Sequence, residues 1–203
     1  MKTLNIQALI ILMGIVISCN NKQLPILGET TVNDNGKTIH YMTPEFELVT
    51  QDNTGIHSAS FEGKIQVVDF FFTSCPTICP KMTSHLKLVE AAFKDEKKVQ
   101  ILSFSIDPKN DTPKHLKAYA SQYDIDTANW TFLTSENGKV FELAKDYKVR
   151  AFNDSTENEP SLLHDGTFVL VDGTSRIRGY YNGLEIEDTK RLIKDIKLLL
   201  KEG

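Results

Sequence analysis

Two cysteines separated by three residues form the part of this sequence best suited to chemistry. Cys75 and Cys79 lie in the segment TSCPTICP, residues 73–80, between an apolar run typical of a strand and a pattern typical of a helix. A helix N-terminus offers free N–H groups and partial positive charge, both of which stabilise a thiolate relative to a thiol. Because thiolates bind metal ions and attack disulfides, the pair predicts a metal site or a redox site. A plain structural disulfide is the alternative, although so short a loop gains little stability from one.

The number of sulfur ligands limits which metal such a site could hold. Soft thiolates favour copper(I), zinc and iron–sulfur clusters. The chain has three cysteines, whereas a structural zinc site or an iron–sulfur cluster needs four protein ligands. Copper can be held by two sulfurs and one imidazole, so we expect a histidine close to the two cysteines.

Five histidines are candidates for that ligand: His40, His57, His85, His115 and His164. We expect the first four to be solvated surface residues, because they lie near the N-terminal segment or away from the apolar faces of predicted helices. His164 follows a polar, acidic loop at residues 152–161 and opens a β-prone stretch. The residues alone leave two possibilities open for it, a metal ligand or an ordinary loop histidine.

The elements that must position these residues alternate between strands and helices. A hairpin is predicted at residues 46–60, and an apolar β-prone run at 65–72 leads into the cysteine segment. The helix after the cysteines has one apolar face, formed by Met82, Leu86, Val89 and Phe93. Further strands are predicted at 99–106, 130–133, 164–171 and 176–181, and further helices from Thr112, at 140–147 and at 187–200. This order predicts an α/β protein with a central mixed β-sheet flanked by helices and an N-terminal β-hairpin.

Composition and charge exclude several classes of protein. The 203-residue chain is 40% hydrophobic and 25% charged, with a net charge of −4, which is typical of one globular domain and not of a disordered chain. The sequence pI is about 5.7, and no basic stripe is visible that could neutralise phosphates. Nucleic-acid binding is therefore not expected.

The N-terminus has the layout of a secretory signal, with Lys2 before an apolar run that ends near Ser18. That run is shorter than the roughly 20 residues of a membrane-spanning helix. The sequence VISC, ending at Cys19, resembles the lipobox of bacterial lipoproteins, which implies cleavage before Cys19 and lipid on its sulfur. An uncleaved signal anchor with an idle Cys19 is the alternative. We predict a lipoprotein signal peptide at residues 1–18, a flexible tether at 19–40 and the folded domain at 41–203.

Three segments resemble the Sco/SenC family and occur in the family's order. They are CPTICP at residues 75–80, DPKNDTP at residues 107–113, and His164 with Asp172 and Arg176 behind it. The resemblance covers about residues 40–200. It implies a thioredoxin-like fold, and it implies that Cys75, Cys79 and His164 bind copper as Cu(I) and Cu(II).

The same resemblance implies a function and a place in the cell. The protein would deliver copper to the dinuclear copper site of cytochrome c oxidase, or reduce the cysteines of that site, during assembly. Its partners would be the copper-site subunit of the oxidase and other copper chaperones or thiol reductants. A lipid anchor would hold it to a membrane of the bacterial cell envelope, with the domain facing the periplasm.

Residues near the predicted copper ligands also suggest roles of their own. Thr77 departs from the family, which usually has Asp there, and this puts the tuning of the copper site in doubt. Asp69 resembles the buried aspartate of thioredoxin. Its pKa should be raised by burial, which suits a proton acceptor in thiol–disulfide exchange, although a hydrogen-bonded structural residue is the alternative. We expect structural roles for Asp107 and Asp111, and a core role for Met82.

Three functions other than copper binding remain open from the sequence. A thiol–disulfide oxidoreductase without a metal role would need Cys75 and Cys79 but not His164. A lipoprotein adaptor would use the two cysteines as a structural disulfide. A peroxiredoxin-like peroxidase fits less well, because of the short cysteine spacing and Pro80.

Overall fold

The computed structural model describes residues 23–135, 139–153 and 162–202. The predicted signal peptide and the lipid attachment point, Cys19, lie outside these residues and stay predictions. Within the described ranges, no helix is both long enough and apolar enough to cross a membrane.

A seven-stranded mixed sheet forms the centre of the fold, in the order β11-β10-β5-β6-β7-β3-β4. Its middle strands β5 and β6 are parallel and every residue in them is buried, which explains their nearly continuous apolar sequence. The hairpin of β3 and β4 is antiparallel and was predicted at residues 46–60. The strands of this sheet are β3 (Glu47–Thr50), β4 (Gly55–His57), β5 (Ile65–Phe71), β6 (Val99–Ser105), β7 (Trp130–Thr134), β10 (Thr167–Val171) and β11 (Ile177–Asn182).

Helices cover both faces of this sheet and divide the core in two. On one face, α1, α2 and α4 pack around a cluster that includes Met82, Leu116 and Ile196. On the other, α3 and a 3-10 turn at Ser58–Phe61 pack on a second cluster that includes Phe70 and Tyr147. The predicted α/β class with a mixed central sheet is confirmed, as is the core position of Met82. The helices are α1 (Cys79–Phe93), α2 (Pro113–Gln122), α3 (Lys139–Asp146) and α4 (Ile186–Glu202).

The prediction of one strand over residues 164–171 is wrong. Residues 164–171 do not form a single strand, because the chain turns at Gly166, whose φ of +73° lies in the left-handed region. Residues before the turn form β9 (Leu162–His164), which pairs with β8 (Ala151–Asn153) in a small separate sheet. His164 therefore ends a short strand outside the main sheet instead of opening a central one.

The described part of the predicted tether, residues 23–40, has regular structure, and its residues 24–27 bond to the domain. An antiparallel hairpin joins β1 (Thr30–Val32) to β2 (Thr38–His40), and the backbone of Leu27 donates to the carbonyl of Ile177 in β11 at 2.8 Å. The turn-rich residues that suggested a flexible linker instead close this hairpin. The prediction of a tether over the whole of residues 19–40 is thus wrong for this part.

Candidate metal centre

The two cysteines lie where β5 gives way to α1. The chain leaves the central sheet after Phe71, passes through residues 72–78, here called the cysteine loop, and enters α1 at Cys79. Within the loop, the N–H of Cys75 donates to the carbonyl of Phe72 at 3.2 Å and closes a tight turn. Both cysteines are free thiols and both are buried. The carboxyl end of a parallel strand followed by a helix N-terminus is a common place for a functional site in α/β folds.

His164 reaches the same point from a different element. The β8–β9 pairing sets it opposite Ala151, and its Nε2 lies 3.2 Å from the sulfur of Cys79. The ring of Phe72 meets the His164 ring edge-on, with centroids 5.9 Å apart, and so helps to fix its orientation.

The donor atoms of Cys75, Cys79 and His164 all lie within 4.8 Å of one another. Three ligands placed about 2.0–2.3 Å from one ion are roughly 3.5–4 Å apart, so small side-chain adjustments would let this group hold a single metal ion. Two thiols and an imidazole are soft and borderline donors, which suits copper. In the described part of the chain, no other group of three such residues comes this close together.

The other histidines lie elsewhere. His57 caps the 3-10 turn by accepting from the N–H of Ala59, and His115 contacts Thr112 at the start of α2. His85 does not match the expected solvated position: it is half-buried, and its Nδ1 donates to the carbonyl of Gly183 at 2.7 Å. His40 is half-buried as well, and its Nδ1 has no partner among the described residues.

The surroundings of the cysteine loop shift the pKa values of the two thiols in opposite directions. Burial raises the pKa of Cys75, but hydrogen bonds from the backbone of Cys79 and Thr77 and from their side chains outweigh it, and the pKa ends below its usual value. Burial raises the pKa of Cys79 far above its usual range, and the neighbouring Cys75 and Asp69 raise it further. Cys75 is therefore the thiol that ionises first and the better nucleophile of the pair.

Burial also keeps the imidazole neutral. It lowers the pKa of His164 to about 4, and nearby Asp165 only partly opposes this shift. Neutral imidazole is the form that binds metal ions. At neutral pH the imidazole as a whole therefore needs no net loss of a proton before it can act as a ligand.

Asp69 is a buried residue of β5 and lies two positions before the strand ends at the cysteine loop. Its Oδ1 accepts from the hydroxyl of Ser103 at 2.5 Å, and Ser103 in turn accepts from the indole N–H of Trp130 at 2.8 Å. Burial raises the pKa of Asp69 to about 7, as the sequence predicted, while the bond from Ser103 holds it lower than burial alone would. A role as proton acceptor stays a prediction.

Three contacts of the cysteine loop were not foreseen from the sequence. The Thr77 hydroxyl lies 3.7 Å from the Cys75 sulfur, and the Phe72 ring contacts His164. The third joins Thr73 to the buried carboxylate of Asp111. Only the local contact of Thr77 could have been read from spacing, since the other two join residues far apart in sequence.

Comparison with known proteins agrees with this arrangement. Residues 35–201 match the model of the SCO1/SenC family. The chain belongs to the SCO1/SenC family. The resemblance seen in the sequence is thereby confirmed, and the thioredoxin-like fold of Sco proteins is shared.

Three solved Sco structures illustrate the similarity. A SCO1/SenC family lipoprotein from Bacillus anthracis str. Ames is 32% identical, with a TM-score of 0.71 over 79% of this chain and 95% of that one. BsSco, a member of the Sco family of cytochrome c oxidase assembly proteins, is 34% identical, with a TM-score of 0.69 over 80% and 95%. Copper-bound ScoI from Bradyrhizobium japonicum is 25% identical, with a TM-score of 0.66 over 78% and 99%.

Proposed function

We propose that this Sco-family protein binds copper through Cys75, Cys79 and His164 and serves the assembly of cytochrome c oxidase. The observation that carries the proposal is the convergence of two free thiols and one neutral imidazole within 4.8 Å. The donor set suits Cu(I) through its sulfurs and Cu(II) through the added imidazole. Copper is cargo here, delivered to the dinuclear copper site of the oxidase, and the related ScoI of Bradyrhizobium japonicum has been solved with copper bound.

The client and the location are part of the same proposal. The copper-site subunit of cytochrome c oxidase is the proposed partner, since BsSco is named as a member of a family of assembly proteins for that enzyme. A lipid on Cys19 would anchor the protein to a membrane of the bacterial envelope, with the domain in the periplasm. The lipobox-like sequence supports this anchor, and the similar protein of Bacillus anthracis is named as a lipoprotein.

A copper titration of the reduced full-length protein tests the metal site. We expect one equivalent of Cu(I) to bind, and Cu(II) to give a thiolate-to-copper absorption band. Cys75→Ser should abolish that band, and His164→Ala should weaken Cu(II) binding by at least about tenfold through loss of the imidazole ligand. His115→Ala, at the start of α2, is the matched control and should bind as wild type. Normal copper binding by His164→Ala would refute the three-ligand site.

A second function, thiol–disulfide exchange without metal, is favoured by the unequal thiols and by Asp69. The Cys75 thiolate would attack a disulfide of the client, displacing one client thiolate and forming a mixed disulfide. Cys79, after losing its proton, would then attack the Cys75 sulfur, releasing the second client thiol and leaving a Cys75–Cys79 disulfide. A thiol reductant would regenerate the pair. A disulfide switch has been identified in the similar protein BsSco.

Copper binding and thiol–disulfide exchange differ in whether they need His164. Exchange chemistry does not need an imidazole ligand, so His164→Ala should reduce a client peptide disulfide at the wild-type rate if this function is the relevant one. Cys79→Ser should instead stop at the mixed disulfide. A His164→Ala protein that fails both to bind copper and to reduce the peptide would contradict the exchange function.

A further inference from the structure

Asp111 is a carboxylate that lies completely inside the protein, between β6 and α2, with 0% of its surface exposed. Its oxygens accept three hydrogen bonds: from the N–H of Thr73 at 3.0 Å, from the hydroxyl of Thr73, and from the hydroxyl of Ser105 at 2.6 Å. An unpaired carboxylate would be strongly unfavourable in this position, and these bonds offset its loss of hydration. Two of the three come from a single residue of the cysteine loop.

Both oxygens of Asp111 are used to hold Thr73. The N–H of Thr73 donates to Oδ2 and its hydroxyl donates to Oδ1. Two bonds from one residue to a planar carboxylate fix the orientation of that residue as well as its position. In the described part of the chain, no other backbone N–H between residues 73 and 77 bonds to a residue beyond the loop.

The position of the loop matters because the ligands come from separate elements. Cys75 and Cys79 move with the loop and the start of α1, whereas His164 is held by the β8–β9 hairpin. Thr73 lies two residues before Cys75, and the turn closed by Cys75 and Phe72 links them directly. A shift of Thr73 would therefore move the Cys75 sulfur relative to the His164 ring.

We propose that Asp111 is a positioning residue, which holds the cysteine loop through Thr73 so that Cys75, Cys79 and His164 meet at one point. The inference deepens the copper function proposed above. Asp111 acts through Thr73 and is not itself a ligand. An ordered loop lowers the entropy cost of bringing both sulfurs to one ion, and it equally favours closing the two sulfurs into a disulfide.

Asp111→Asn in the reduced full-length protein tests this directly. One side-chain oxygen becomes an NH₂ group, so one of the two bonds from Thr73 loses its acceptor. We expect the Cu(I) affinity, measured by competition with a chromophoric chelator, to fall by at least about tenfold. We also expect the Cu(II)–thiolate absorption band to move. Thr73→Val removes only the hydroxyl and should give a smaller change in the same direction, with no added effect in the combined variant.

Ser105→Ala is the matched control, because it removes the third donor to the same carboxylate and leaves both bonds to Thr73. Its thermal stability should fall, but its copper affinity should stay within about twofold of wild type and its absorption band should not move. The proposal is wrong if Asp111→Asn loses stability alone, or if Ser105→Ala disturbs the copper site to the same extent. Should Asp111→Asn fail to fold, an unchanged copper spectrum and affinity in Thr73→Val would overturn it.

A metal-free measurement separates this inference from the copper function. In glutathione buffers we expect the Cys75–Cys79 disulfide of Asp111→Asn to be about tenfold less stable, a reduction potential about 30 mV higher than wild type. If wild type binds no copper but the potential shifts, the copper function fails and the positioning role stands. If wild type binds copper and neither affinity nor potential changes in Asp111→Asn, the positioning role fails and the copper function stands.

Discussion

At the scale of single residues, the burial of Asp69 links proton binding to the stability of the fold. Burial raises its pKa to about 7, although the hydrogen bond from Ser103 opposes the shift. Between about pH 4 and pH 7 the folded protein therefore keeps a proton that the unfolded chain releases. The free energy of unfolding falls as pH rises through this window, and the loss is complete above the folded-state pKa. A shift of roughly three units corresponds to at most about 4 kcal/mol.

Asp69→Asn should remove this pH dependence. The amide has no charge to bury, and its oxygen can still accept from Ser103. Relative to wild type, we expect the free energy of unfolding of the metal-free variant to increase as pH rises from about 4 to about 8. Urea unfolding at several pH values measures the difference, with Asp34→Asn in an exposed turn as the control. A constant difference between wild type and Asp69→Asn across this range would refute the prediction.

At the scale of elements, the turn after β11 packs closely against the turn between β9 and β10. The N–H of Gly183 donates to the carbonyl of Gly166 at 2.8 Å. A Cβ atom added at Gly183 would lie 2.6 Å from that carbonyl oxygen and 2.7 Å from the ring of Phe168. Gly166 follows His164 by two residues, so the lack of a side chain at Gly183 lets the β9–β10 turn hold the histidine in place.

Gly183→Ala is expected to disturb the histidine side of the site. Relieving the contact should cost about 1–3 kcal/mol of unfolding free energy and should weaken Cu(II) binding through a displaced His164. Gly55→Ala in β4 is the matched control, since an added Cβ there meets nothing within 4 Å. It should change stability by no more than about 0.5 kcal/mol. If the two variants show equal stability and equal copper affinity, the packing argument at Gly183 is wrong.

The same elements show what the sequence could and could not predict. Strands β5 and β6 were predictable because burial on both faces leaves a continuous apolar run. The break at Gly166 was not, because the pairing of β8 with β9 depends on a partner outside the local sequence.

In the candidate site, too, the features that depend on local sequence could be predicted and those that depend on distant residues could not. Cysteine spacing predicted Cys75 and Cys79, whereas choosing His164 among five histidines required the family resemblance. The bond between Thr73 and Asp111 joins residues 38 positions apart, and no periodicity indicates such a contact.

At the scale of the whole molecule, the N-terminal segment is fixed at the opposite end of the sheet from the cysteines. Arg178 donates to the carbonyls of Leu24 and Pro25 and pairs with Asp172 and Glu202, an arrangement we call the Arg178 clamp. The clamp borders a cavity also lined by the first residue of β5. The cysteine loop begins where β5 ends, about 20 Å away at roughly 3.3 Å per residue. We therefore expect substitutions at this end of the sheet to change the stability of the fold without changing metal binding.

Arg178→Met tests that separation. The side chains of Arg178 and Asp172 in this pair are only 9% and 12% exposed, so removing the cation leaves buried carboxylate charge and should lower the free energy of unfolding by about 3 kcal/mol. Amide exchange at Leu24 and Leu27, whose N–H groups bond to Glu202 and Ile177, should accelerate because the neighbouring carbonyls of Leu24 and Pro25 lose their donors, while copper affinity should not change. Arg191→Met is the control, because its pair with Asp188 is 47% and 32% exposed and should contribute no more than about 1 kcal/mol. Equal destabilisation by the two substitutions, or loss of copper binding in Arg178→Met, would show that the clamp and the site are not independent.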